Sequence, residues 1–233
     1  MNNPYLEQKW TPGAVLRRAK VILWDEGPRS LFFKVLGESV YRRLQFTELR
    51  FDEVGPATLG DHELVKLDQS SFAGYLKVRT DLDEHKIDER LRRGDECYAI
   101  FVDGEIAQTC WLAARGSARV GYLDCEIRLG ARDVYVYEFL VHPVYRRRKL
   151  FPAALSRLVV EYRRRGYERI VWAWMPENAR AVSVARHWPF RSLGMLGYWK
   201  IAGFRKYFTS IPDARQPPRL WADELRQWHR VVR

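Results

Sequence analysis

Residues 141–155 read Val141-His-Pro-Val-Tyr-Arg-Arg-Arg-Lys-Leu-Phe-Pro-Ala-Ala-Leu155. Upstream of them, Val134–Val141 is dense in β-branched and aromatic residues, as a central strand is. Downstream, Leu150, Ala154, Leu155, Leu158, Val159 and Tyr162 recur at helical spacing as far as Gly166. Pro152 suits the first helical turn, Gly166 the C-terminal cap, and Arg163-Arg164-Arg165 the negative end of the helix dipole. The loop between therefore joins a strand end to a helix start. Such a junction offers unpaired backbone N–H groups and the positive end of the dipole, a suitable seat for a diphosphate. Arg146, Arg147, Arg148 and Lys149 add charge that a neutral ligand would not require. From His142 to Arg169, nine Lys/Arg stand against two Glu, most of the net charge of +11. A solvated basic helix face is the alternative reading, and the register against the preceding strand favours the anion site.

Outward from this unit the chain continues the alternation. Arg169–Met175 reads as a buried strand, Asn178–Arg186 as a short helix, and Phe190–Met195, Tyr198–Ile201 and Phe204–Phe208 as further strand pieces. Upstream, Cys97–Val102 and Glu105–Ala113 flank Asp103-Gly104, the strongest short hairpin signal in the chain. A two-residue turn there pairs Val102 with Glu105 and, counting outward, Cys97 with Cys110. Tyr122–Leu129, Phe46–Phe51 and Glu63–Leu67 read as strands, and Ser70–Arg93 as partly helical. The order strand–loop–helix–strand–helix–strand predicts a mixed α/β sheet.

The ends differ in character. Ala14–Trp24 and a second helix from Pro28 to about Leu44 are amphipathic and basic, so residues 1–45 read as a helical extension before a main domain at 46–210. Packing on the domain or a second subunit, and lying on an anionic membrane surface, both stay open for these helices. Pro212–Pro218 reads as a linker and Leu220–Val231 as a terminal amphipathic helix, within a segment 211–233.

Bulk properties exclude several classes. A hydrophobic fraction of 47% supports a core and argues against disorder. With no long apolar run and no signal-peptide pattern, a cytoplasmic location is expected. Three cysteines without a C-x-x-C and five scattered histidines indicate neither a disulfide framework nor a metal site. The positive charge favours a polyanionic partner, yet no nucleic-acid-binding motif is visible.

The loop resembles that of the GNAT acyltransferase superfamily, V-x-P-x-x-R-x-x-G-x-G/A, over about residues 95–208. Val141, Pro143 and Arg146 match; Lys149 and Phe151 stand where small glycines are customary. The resemblance implies a mainly antiparallel twisted sheet flanked by helices. It implies acetyl-CoA, or another acyl-CoA, as co-substrate, held by Phe139, Leu140, Val141, Arg146, Arg147, Arg148, Lys149, Leu150 and Phe151. Asn178 and Ser183 fall on the pantetheine side, and Phe190 matches the second residue of a Gly-Phe pair. The tyrosine that usually protonates the leaving thiolate is replaced by Ala185, which leaves Tyr198 and His187 as substitutes. Glu138, on the central strand, is the candidate base, with a pKa expected to be raised by partial burial. The implied reaction is direct attack of an amine acceptor, an amino sugar among the options, on the thioester. A longer-chain acyl-CoA or an acyl carrier protein as donor stays open, as does a degenerate fold that binds partners or membranes.

Overall fold

A computed structural model of the chain describes residues 12–55, 62–79, 82–201, 204–211 and 228–230. Two helices come first, α1 (Pro12–Glu26) and α2 (Pro28–Ser39), broken at Gly27, which adopts φ 89°. Strand β1 (Tyr41–Arg50) follows at once, so the boundary expected near residue 45 falls inside a strand. Residues 41–44 carry the right apolar spacing for a helix, but the partners they meet in the sheet decide the outcome. Next come β2 (Leu64–Lys66), α3 (Phe72–Val78), α4 (Glu84–Arg92), and the hairpin β3 (Glu96–Val102) and β4 (Glu105–Ala113). The segment expected as one strand at 122–129 is instead a small separate hairpin, β5 (Ser117–Val120) and β6 (Cys125–Arg128), with a turn at 121–124.

Strand β7 (Asp133–Val141) leads through the basic loop to α5 (Leu150–Arg164), then β8 (Arg169–Trp174), α6 (Ala179–Ala185), β9 (Arg191–Ile201) and β10 (Phe204–Thr209). The two strand pieces expected at 190–201 are thus one strand. At the C-terminal end Trp228–Arg230 is a short strand, β11, paired with β10, and not part of a helix. The rest of the expected linker and terminal helix lies outside the described residues.

The main sheet runs β11-β10-β9-β1-β8-β7-β4-β3-β2, with β7 and β8 parallel and the other pairings antiparallel. The fold is therefore a mixed, mainly antiparallel sheet flanked by helices. The period-2 alternation of β1, β7 and β8 feeds two cores. Leu49, Val134, Val136, Ile170 and Trp172 face α5, which contributes Leu155, Leu158, Val159 and Tyr162. Phe46, Tyr135 and Val171 face the opposite layer, where the β5–β6 hairpin supplies Val120, Leu123 and Ile127. The C-terminal end of α5 is pinned by Glu96, which accepts from Arg165 at 2.7 Å and Tyr162 at 2.7 Å. Burial would raise the Glu96 pKa, but the Arg165 and Tyr162 hydrogen bonds hold it at about 2.

The turn at Asp103-Gly104 has two residues at positive φ, 53° and 78°, and Val102 pairs with Glu105 as expected. A bulge then intervenes. Phe101 faces Ile106, but Ile100 faces Gln108, so Cys97 lies opposite Trp111 and not Cys110. One extra residue on β4 shifts every later pair by one position. Both cysteines are free and buried.

Candidate active site

The parallel pair β7–β8 is locked at one end and open at the other. Arg169 grips Asp133 bidentately at 2.6 and 3.0 Å and also pairs with Glu48, fixing the start of both strands. Pairing runs from Asp133↔Arg169 to Val136↔Trp172 and stops there, although β7 continues to Val141. On its other edge β7 still pairs with β4, through Leu140↔Thr109 and Val141↔Gln108. The edge of residues 138–141 that faces β8 is thus left without a strand partner. Its N–H and C=O groups are available to a ligand lying in the split.

A bulge aims that edge. Between Tyr137↔Trp111 and Leu140↔Thr109, two residues of β7 oppose the single residue Cys110. Glu138 takes φ 49°, a left-handed conformation that costs a non-glycine residue about 1–2 kcal/mol. What holds it there is a clamp. Arg90 donates to Glu138 through Nη1 at 2.7 Å and Nη2 at 2.6 Å, and Arg79 Nη1 donates at 2.8 Å. The arginine side chains are 12% and 6% exposed, that of Glu138 31%. Arg90 also lies over the rings of Trp111 at 5.0 Å and Tyr137 at 5.4 Å.

These contacts correct the expectation for Glu138. Burial alone would raise its pKa, but the hydrogen bonds and charges of Arg90 and Arg79 outweigh burial and lower it. A carboxylate so held is a stable anion and a weak proton acceptor. Neither arginine was singled out from sequence. Asp88–Gly94 looks like a solvated charge run, but Arg90 shares the apolar side of α4 with Ile87 and Leu91, and that spacing was the available signal.

The loop after β7 is built to present backbone donors. His142 N–H bonds to the Ala107 carbonyl at 2.9 Å, and Pro143–Tyr145 form a single 3₁₀ turn. Arg147 (φ 69°) and Lys149 (φ 55°) then adopt left-handed conformations with no glycine. Lys149 is the N-cap of α5, and no side chain caps that end. The N–H groups of Leu150 and Phe151 head the helix, and the first intrahelical bond comes from Ala153 to the Lys149 carbonyl. Arg147, Arg148 and Lys149 are exposed and form no ion pair among the described residues; Arg148 stacks over Tyr145 at 5.4 Å. Leu150 is 2% exposed, so its side chain belongs to the core and only its N–H faces the loop.

Phe151 lines the split. Its ring lies 4.3 Å from Phe139 and 5.2 Å from Trp172, which in turn lies 5.6 Å from Phe190. The α5 side of the split is thus walled by aromatic rings where a glycine would leave space. Across it, Asn178 caps α6, its Oδ1 accepting from Ala181 N–H at 3.2 Å, and Ser183 is exposed on that helix. Ala185 packs against the core beside α5.

Tyr198 is not part of this group. It is 3% exposed on β9, edge-to-face with Tyr207 at 5.5 Å, and β1 and β8 stand between its strand and β7. Three strand spacings put it about 14 Å away, too far to protonate a thiolate in the split. His187 is exposed, its Nδ1 2.7 Å from the Ser183 carbonyl. Tyr198 was a candidate on residue type alone, and β1, which enters the sheet between β8 and β9, sets its strand apart from the site.

Comparison with known proteins bears on the same segment. The profile of the acetyltransferase (GNAT) family matches residues 64–188, more than half of the chain. No curated protein matches it. Among solved structures, a conserved protein of unknown function from Staphylococcus epidermidis is 10% identical with a TM-score of 0.47, over 72% of this chain and 64% of its own. A protein of Novosphingobium aromaticivorans assigned to the GNAT family is 15% identical with a TM-score of 0.49, over 68% and 64%. The aminoglycoside N-acetyltransferase AAC(6')-Iy, solved with CoA, is 15% identical with a TM-score of 0.43, over 54% and 88%. The match therefore spans just under two thirds of the first two proteins.

Proposed function

This chain belongs to the GNAT acetyltransferase family, and we propose that it is an acyl-CoA-dependent N-acyltransferase that passes acetyl from acetyl-CoA to a small amine acceptor. The observation that carries the reading is the loop at the mouth of the β7–β8 split. Arg147 and Lys149 hold left-handed backbone without glycine and deliver an uncapped helix end flanked by exposed cations. Those donors and charges fit a diphosphate. The unpaired edge of Phe139, Leu140 and Val141 fits an extended amide-bearing arm, with Asn178 and Ser183 across the split.

In the reaction the amine nitrogen attacks the thioester carbonyl carbon. The C–N bond forms, the C–S bond breaks, the nitrogen loses a proton and the departing sulfur gains one. Backbone N–H groups of the bulged segment are the donors for the oxyanion. We assign Glu138 the part of a positioning residue: held by Arg90 and Arg79, it maintains the bulge that aims those groups. With Ala185 in place of a tyrosine and Tyr198 remote, protons leave and arrive through water. An amino sugar is a fitting acceptor class.

One observation favours a second reading of the donor. The rings of Phe139, Phe151, Trp172 and Phe190 form an apolar wall that suits an acyl chain longer than acetyl. An acidic acyl carrier protein would also find the basic loop complementary. Titration calorimetry with free CoA tests the shared core of both readings. Arg146→Glu with Arg148→Glu should weaken CoA by about tenfold or more, each charge-assisted phosphate contact contributing on the order of 1–2 kcal/mol. Unchanged affinity in the folded variant would remove the site. Absence of CoA binding by the unaltered chain would reduce the fold to a binding module. Thiol release with donors of two, eight and sixteen carbons separates acetyl from longer chains.

A further inference from the structure

Helices α1 and α2, consecutive and broken at Gly27, carry two apolar faces, only one of which is covered among the described residues. The inner face is fixed to the domain. Ile22 and Ser30 are buried, Arg42 Nε donates to the Gly37 carbonyl at 2.8 Å, and Arg43 lies 4.6 Å over the Phe33 ring while pairing with the buried Glu177. At Gly37 a Cβ would come within 2.9 Å of the Tyr122 hydroxyl, so the helix sits close against its support. The outer face carries the three most exposed large apolar side chains of the described residues, Trp24 at 80%, Leu16 at 70% and Val35 at 63%, together with Phe32 at 61%. Ordinary surface helices turn polar residues outward. Here the outward positions are apolar and their charged neighbours, Arg17, Lys20 and Arg29, are all basic among the described exposed side chains.

We propose that this outer face docks on an anionic lipid surface, with Leu16, Trp24, Phe32 and Val35 inserted at the headgroup boundary and Lys20 and Arg29 against the headgroups. Helices of 15 and 12 residues are too short to cross a bilayer, which needs roughly 20 apolar residues, but they suffice to lie in its surface. Charge selects among the partners an apolar face can take. A second copy joined across a two-fold axis would bring Lys20 and Arg29 into one interface with the copy's identical cations, with no acidic side chain among the described exposed residues of the face to meet them, and two chains of net charge +11 repel. An anionic membrane satisfies both features at once, since aromatic rings favour its interface and cations its surface potential.

The test is co-sedimentation of the full chain with vesicles of phosphatidylcholine alone or with 30% phosphatidylserine, at about 0.1 M salt. Binding is expected to the anionic vesicles only, and to weaken at 0.5 M salt. Trp24→Glu with Phe32→Glu should abolish it. Lys20→Gln with Arg29→Gln should weaken it roughly 25-fold, about fivefold for each cation. The four altered side chains are exposed, so the thermal midpoint should stay within about 3 °C, and CoA binding should be unchanged. Should the glutamate pair fail to fold, the glutamine pair still decides the matter. Absence of binding to anionic vesicles, equal binding to neutral ones, or variants that bind like the original would each overturn the proposal. A dimer in solution that the glutamate pair dissociates would assign the face to self-association instead.

Discussion

Replacing Arg90 with methionine removes the bidentate half of the Glu138 clamp and keeps most of the apolar stem. The charge-assisted contacts to Glu138 at 2.6 and 2.7 Å contribute roughly 2 kcal/mol, near the middle of the range for hydrogen bonds to charged groups. The full cost of orphaning a buried charge, about 3–5 kcal/mol, does not apply, because Glu138 keeps Arg79 and is 31% exposed. Loss of the cation over Trp111 and Tyr137 adds roughly 1 kcal/mol, for a total of about 3. Glu138→Gln should cost about 2 kcal/mol, since two poorly exposed guanidiniums then face each other without a counter-charge. If the groups form one unit, the double variant costs about 3 kcal/mol and not the sum, a coupling near 2 kcal/mol. Urea denaturation of the four proteins at pH 7 measures this. The pH dependence has a definite sign. The folded-state pKa of Glu138 is lowered, so its stabilisation is present above the unfolded-state value of about 4.3 and is lost as pH falls through the folded value. The gap between the original and Glu138→Gln should therefore begin to narrow as pH falls below about 4.3 and close once pH has passed the lowered folded value. Additive costs within about 0.5 kcal/mol, or a gap independent of pH, would refute the clamp.

For turnover, Glu138→Gln should lower kcat while the acidic limb of the pH–rate profile survives; disappearance of that limb would restore Glu138 as the base. At Lys149, φ 55° predicts that Lys149→Gly is neutral or stabilising, whereas Lys149→Val costs about 1–2 kcal/mol, read from thermal midpoints. Glu96→Gln should cost about 2 kcal/mol at neutral pH, and because the Glu96 pKa is lowered to about 2 that difference should fade as pH drops from about 4.3 toward 2; a constant difference in acid titrations would count against it. A Cβ at Gly197 would collide with the Arg42 carbonyl and the Phe208 ring, so Gly197→Ala should lower stability by about 2–3 kcal/mol, and an unchanged midpoint would place that strand pairing wrongly.

Much of this site was legible because local chemistry determines it. The strand, basic loop and α5 follow from residues within thirty positions of one another, and the turn at Asp103-Gly104 follows from two residues. What stayed hidden depends on distant partners. The β4 bulge that moves Cys97 opposite Trp111 leaves no mark in the alternation of a strand buried on both faces. Glu138 looked like a base because its strand position was visible and its two arginines, 48 and 59 residues away, were not. Leu44 and Phe46 carry an apolar pattern that suits a helix or a strand, and only β8 and β9 on either side make β1 a strand. That insertion also separates Tyr198, a candidate on residue type alone, from the split.

The place of β1 has a consequence for how the protein is made. Gln45 pairs with Trp174 on one side and Met195 on the other, partners synthesised some 130–150 residues later. At about 5–20 residues per second, the ribosome exposes both edges of this strand for roughly 7–30 s before either is covered. Neighbours so distant in sequence make the closing step slow. Until then the nascent chain displays a bare ten-residue strand beside two helices with exposed apolar side chains, a species prone to capture by other strands and by chaperones. The basic loop after β7 leaves the exit tunnel before the sheet that supports it is complete. Chains terminated before Ile201 should therefore yield insoluble or degraded product, with no partly active enzyme among them.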